Sequence, residues 1–392
     1  MAGIYIHIPF CKSRCIYCGF YSTTALDLRQ RYVDALCREM EERSFPPSSI
    51  NTIYLGGGTP SQLTIPQLRQ LFIYINKVYG LPFPLEGGGG RFEVTIECNP
   101  DDVTDEFAEG LKTLPVNRVS MGVQTFNDGR LQFLHRRHTA AQAKEAVERL
   151  RKAGIRNISI DLMYGFPGET LDDWLRDIEA AIALNVEHLS AYCLMIEEDT
   201  PLYQLRMKNV ELREAFPSEE LERQMYYMLI DRLEAAGYEH YEISNWNLSP
   251  RPLQKEREPR SYRSIHNSNY WNGTPYIGLG AAAHSYDGLG CRRWNVSDIH
   301  QYIEGIENGQ PCFEQEQLDD DTRYNDTITT ALRTREGLDL TLLSDKHRHY
   351  CLCEARRSID SGLLRLSPDH HLSLTREGLF VSDMVMSDLI II

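Results

Sequence analysis

Three cysteines within eight residues are the most reactive grouping in this sequence: Cys11, Cys15 and Cys18, in the run IYIHIPFCKSRCIYCGF from Ile4 to Phe20. The spacing is C-x3-C-x2-C, with Tyr17 directly before the third cysteine. Thiols grouped in one loop can form a disulfide, bind zinc or hold an iron–sulfur cluster. A structural zinc site is closed by four ligands, usually from two knuckles, and no second knuckle lies nearby in the sequence. Three thiolates suit a four-iron cube whose fourth iron stays open to a ligand. The spacing also departs from the bacterial ferredoxin run C-x2-C-x2-C-x3-C-P.

Such a loop needs a rigid frame. The β-rich run Ile4–Ile8 precedes it and stops at Pro9. Helical periodicity follows from Leu28 to Arg43 and ends at Pro46-Pro47. Further strands are expected at Ile50–Leu55, Phe92–Glu97, Val116–Val123, Ile155–Leu162 and His188–Met195, each followed by a helical stretch. That alternation argues for six βα units and a parallel sheet, either open or part of a barrel. Gly56-Gly57-Gly58-Thr59-Pro60 closes the second strand, where glycines let backbone approach a ligand. The four glycines Gly87–Gly90 read as a surface loop, because no Lys-Ser/Thr follows to make a P-loop. Polar candidates fall at strand C-terminal ends, where parallel α/β folds place their sites.

We expect residues 1–236 to form this partial (β/α)6 unit, 237–300 a connecting region, and 301–392 a smaller α+β, winged-helix-like domain. Ser218 caps a helix that runs to Ala236. Asn247–Arg263 is rich in Pro, Arg and Lys and reads as a mobile loop. Ser367-Pro368-Asp369 reads as the turn of a hairpin, and the terminal MVMSDLIII as a last packed element.

A net charge of -15 sets most of the surface against a phosphate backbone, so nucleic acid is not an expected partner. The seven cysteines outside the loop are scattered and do not read as a disulfide framework. They suit a reducing cytoplasm. No signal peptide precedes the motif, and no apolar run reaches the ~18 residues of a membrane span.

The C-x3-C-x-aromatic-C loop resembles the signature of the radical S-adenosylmethionine (SAM) superfamily. Over nearly the whole chain, the segments YIHIPFC, GGGTP, ECNP, GVQ, R-x-H-T, DLMYGFPGET and HNSNYW resemble its coproporphyrinogen oxidase-like branch. The resemblance implies a [4Fe-4S] cluster on Cys11, Cys15 and Cys18, with SAM on its open iron. It implies SAM contacts from Tyr5, Tyr17, Gly57, Gly58, Thr59, Glu97, Gln124, Arg136 and Asp161. Carboxylates suit the ammonium or ribose hydroxyls, and Arg136 suits the SAM carboxylate. Cys193 falls near a further expected contact.

Two features separate sub-branches. Oxygen-independent coproporphyrinogen III oxidases carry a fourth cysteine two residues after the third, where this chain has Phe20. They also carry an N-terminal extension that is not seen here. HNSNYW resembles the H-N-x-x-Y-W segment of haem chaperones of the HemW type, which makes His266 a candidate haem ligand. His7, His135, His138 and His284 are its rivals. The resemblance thus implies haem and a haem-acceptor protein as partners, a respiratory enzyme at the membrane face being one candidate acceptor, and it leaves room for a homodimer. The alternative is oxidative decarboxylation of porphyrinogen propionates.

Overall fold

Most of the central strands alternate between apolar and polar residues, and the sheet follows from that period of two. The computed structural model describes residues 2–43, 50–81, 92–248 and 261–392. The Pro46-Pro47 helix end, the Gly87–Gly90 run and most of the Pro/Arg-rich stretch lie outside the described residues. Strands β1 (Ala2–Ile8), β2 (Ile50–Gly57), β3 (Glu93–Cys98), β4 (Arg118–Gln124), β5 (Asn157–Tyr164) and β6 (His188–Cys193) pair in sequence order, all parallel. Ile4, Ile6, Ile8, Ile53, Leu55, Val94, Ile96, Val119, Met121, Ile158 and Ile160 share one face and are fully buried with the crossover helices. Each such side chain contributes roughly 1.5–3 kcal/mol by leaving water.

The residues between them form a polar face: Tyr5, His7, Thr52, Tyr54, Glu93, Glu97, Arg118, Ser120, Asp161, His188 and Ser190. Beyond the first, uncapped crossover helix, five helices begin on threonine caps, which fixes where the loops before them stop. Thr64, Thr104, Thr139, Thr170 and Thr200 each accept a backbone N–H three residues on, worth about 1 kcal/mol apiece.

The sheet does not end with the six units. β7 (Tyr238–Glu242) and β8 (Asn245–Leu248) add antiparallel beyond β6. On the other edge, β9 (Tyr276–Leu279) pairs parallel with β1, followed by antiparallel β10 (His284–Tyr286), β11 (Cys291–Asn295) and β12 (Phe313–Gln317). The result is a twelve-stranded, mostly parallel α/β sheet. Segments expected to be a connector and the start of a separate domain therefore continue the main sheet. A second core gathers Tyr324, Ile328, Leu332, Cys351, Leu364, Leu372, Val385 and Leu389. It carries the three-stranded sheet β13 (Leu338–Asp339), β15 (His371–Leu374), β14 (Leu364–Leu366), and the expected turn joins β14 to β15. Val385 and Leu389 bury the C-terminal element there. Among the described residues, no helix is long and apolar enough to cross a membrane.

Candidate functional site

The cysteine loop leaves β1 at Pro9 and is tied down along its length. Cys11 N–H donates to the Thr23 carbonyl (2.9 Å), and Thr23 N–H donates to the Pro9 carbonyl (2.7 Å). Ile16, between Cys15 and Tyr17, is buried with Leu134, Met163, Phe166, Leu194 and Leu202. Its N–H donates to Leu134, and its carbonyl accepts from Leu202. This apolar anchor was not foreseen. Its only signal in the sequence is one isoleucine among polar and cysteine residues.

All ten cysteines are free thiols, so the loop forms no disulfide. Among the described residues, no three ligating groups converge on a point that one ion would occupy. A cube places each thiolate on a different iron, so it needs no such convergence. Burial pushes the thiols of Cys11 and Cys18 above their usual range, with the neighbouring thiols adding to the shift.

The other expected residues come together beside this loop. Gly57 has φ +112, and its N–H donates to Glu97 Oε2 (3.1 Å). A Cβ on Gly57 would meet the His7 ring at 2.5 Å. Thr59 Oγ1 lies 3.4 Å from Cys11 Sγ. Tyr54 OH donates to Glu97 Oε1 (2.7 Å), and burial, with Asp161 adding to it, lifts the Glu97 carboxyl to about 7. Burial lifts Asp161 to about 6, opposed by Arg118 and by the hydroxyls of Ser190 and Ser120. Gln124 sits at φ 68, beyond a register shift after Gly122. Arg136 donates to the Gly122 carbonyl and to Asn99 Oδ1, and its Nη1 is 3.6 Å from Cys15 Sγ. Tyr17 lies in the field of Arg136 and of Cys15. Tyr5 OH is 3.0 Å from His7 Nδ1, and Tyr5 stacks on Tyr54. Cys193 lies off this group, where its thiol faces Glu222.

Two observations fit these residues to a cluster and a nucleoside cofactor. Arg136 Nε is buried without a partner, as a group awaiting an acceptor would be. A Cβ on Gly58 would stand 2.7 Å from the Pro9 carbonyl carbon and oxygen and 3.1 Å from Cys11 Sγ. Backbone and thiol thus close on the bare glycine. Gly58→Ala should push the loop aside, at about 1–3 kcal/mol for an overpacked contact. The iron retained after anaerobic reconstitution is expected to fall, while far-ultraviolet circular dichroism stays unchanged.

His266 is placed differently. It opens the helix Ile265–Trp271, which lies on the polar face, and it is 1% exposed. Its Nδ1 is 2.9 Å from Thr52 Oγ1 and its Nε2 is 2.8 Å from Tyr270 OH. The ring stacks on Tyr54 at 5.0 Å, and burial, helped by Arg118, lowers it to about 3. Both ring nitrogens are taken, so ligation of iron by His266 requires one of these bonds to break. Sequence reasoning also passed over Tyr54, Asn99, Glu93 and Arg118. Of these, Asn99 stands inside a quoted motif, whereas Tyr54 is marked only by sharing a strand face with Gly56.

Residues 5–181 match the Radical SAM superfamily. The fold is that of a solved relative: the coproporphyrinogen III oxidase HemN of Escherichia coli, a radical SAM enzyme, superposes with a TM-score of 0.80 at 20% identity, over 99% of this chain and 90% of that one. The haem chaperone HemW of Lactococcus lactis is 35% identical over 345 residues, 88% of this chain and 84% of its own. HemW of Mycobacterium tuberculosis (strain H37Rv) is 33% identical over 395 residues, 99% of this chain and 94% of its own. The chain belongs to the radical SAM superfamily, in the branch of the HemW proteins. Membership of that superfamily implies a [4Fe-4S] cluster and SAM.

Proposed function

We propose that this protein is a haem chaperone: it binds haem and passes it to an acceptor protein. The reading rests on the HemW relatives, which match at 33–35% identity over most of both chains. Phe20, where the oxidases carry a further cysteine, favours it over propionate decarboxylation. Cys11, Cys15 and Cys18 hold the cluster. Gly57, Gly58, Thr59, Glu97, Gln124, Arg136, Asp161, Tyr5 and Tyr17 surround SAM. When bound, the pair supplies one-electron chemistry.

The chain's own residues divide the work. Arg136 holds a carboxylate, Glu97 and Asp161 accept from ammonium and hydroxyl groups, and Tyr54 orients Glu97. His266 reaches iron only by giving up the Thr52 or Tyr270 bond; as built, it backs Tyr54. The acceptor is a client protein met in the cytoplasm, a respiratory enzyme at the membrane face being one candidate.

Haem titration of the reconstituted chain, run beside a coproporphyrinogen assay, tests this. Stoichiometric haem binding without decarboxylation is expected. A chain that binds no haem yet decarboxylates coproporphyrinogen sinks the chaperone reading in favour of the oxidase.

A further inference from the structure

One cleft beside the cysteine loop shares only Tyr5 with the proposed SAM contacts. It has a volume of about 280 Å³ and is lined by Tyr5, His7, Phe20, Tyr270, Tyr276 and His284, among others. Its walls come from four places: the cysteine loop, β1, the HNSNYW helix and the β9–β10 corner. Phe20 is 71% exposed, two residues after Cys18, and packing does not account for so large an apolar surface there. Tyr270 and Tyr276 meet edge to face at 4.6 Å. A planar aromatic ligand finds rings here to lie against.

The histidines of the polar face can be sorted by their lone pairs. In His7, His188 and His266 both ring nitrogens are engaged. His138 gives one nitrogen to the Val123 carbonyl and buries the other. His284 is the exception. It is exposed on β10, its ring has no hydrogen-bond partner among the described residues, and it lines the cleft. Trp294 runs nearly parallel to it, 6.1 Å away at 25°, and backs one face of the ring. Partial burial, then Arg292, lowers its pKa and so favours the neutral imidazole.

We propose that this cleft seats haem, with His284 as the axial ligand to iron and Phe20 against the macrocycle. The proposal rests on the haem reading above and locates it. A neutral imidazole is a common axial ligand of haem iron. Ligation here is donation of one lone pair, with no bond broken in the protein. His266 then acts as a positioning residue. Its Nε2 holds the Tyr270 hydroxyl, and Tyr270 forms the cleft wall.

The test is an anaerobic haem titration of the full, cluster-loaded chain, read by Soret absorbance and by electron paramagnetic resonance of the ferric form. His284→Gln, His284→Gly and His266→Gln are compared with the parent, with iron content and circular dichroism as checks of folding. His284→Gln should lose the imidazole-ligated spectrum and bind about tenfold more weakly. His284→Gly should regain the spectrum when free imidazole is added, which holds even if the glutamine variant folds poorly. His266→Gln should keep the axial signature and change affinity alone. A parent chain that binds no haem overturns the chaperone reading. A parent that binds haem with the same spectrum as both His284 variants overturns only the ligand assignment, and loss of the signature in His266→Gln alone moves the ligand to His266.

Discussion

Cys15→Ala should empty the cluster site, dropping iron after anaerobic reconstitution from about four per chain to near none. Three thiols are the minimum that holds a cube with an open iron, so the loss of one is not graded. Cys15 is also the thiol nearest Arg136, at 3.6 Å from Nη1. SAM binding should therefore disappear with the iron. The fold should not follow. Cys15 is only partly buried, and the loop hangs on Ile16 and on backbone bonds to Thr23, Leu134 and Leu202. Chemical denaturation of the apo chain should shift by no more than about 0.5 kcal/mol. Cys351→Ala, in the second core, is the matching control and should keep its iron. Retention of iron by Cys15→Ala refutes the ligand assignment.

Glu93→Ala should cost about 3–5 kcal/mol of stability, the range for breaking a buried ion pair from one side. Glu93 is 4% exposed and Arg118 is 1% exposed, with Arg118 Nε 4.0 Å from Glu93 Oε2. Two nitrogens of Arg118 already lack an acceptor. Without Glu93, a buried guanidinium loses its nearest counter-charge. The carboxylate also accepts the N–H groups of Ile265 (3.0 Å) and His266 (3.1 Å), at the start of the HNSNYW helix. Those amides point at it as orphan helix donors do. Glu93→Gln keeps an acceptor and drops the charge, so its cost should be about half. The denaturation midpoint measures both. Equal costs for the two variants would show that the charge, and not the helix start, carries the effect. A shift below about 1 kcal/mol for Glu93→Ala would show that the pair is not needed.

The six parallel strands were legible because most carry apolar residues at alternate positions, closed by a turn or cap. The cysteines, GGGTP, ECNP and the other strand-end groups were legible for a related reason: motif and strand end coincide. The sheet beyond them was not. β10, β11 and β12 read HSY, CRRWN and FEQEQ, too short and too polar for an apolar period to show. They belong to the sheet through backbone pairing, which leaves no mark on composition. The helices Pro201–Lys208 and Val210–Ala215 were missed for want of a buried stripe; Leu202 is their one buried residue. His266 reads in the sequence as a candidate haem ligand, and its buried place in a helix was not legible. A seven-residue helix gives no periodicity to betray it, and its partners Thr52 and Glu93 are far away in sequence.

β1 is made before every other strand of the sheet yet lies near its middle. β2 covers one flank by residue 57, but β9, which covers the other, starts only at Tyr276. Through most of synthesis an isoleucine-rich strand has a bare edge, the kind of template that recruits other chains. The cysteine loop hangs from that same strand. Metal loading and completion of the sheet are thus bound in time: a nascent or truncated chain ending before Tyr276 would offer its thiols from an unfinished support.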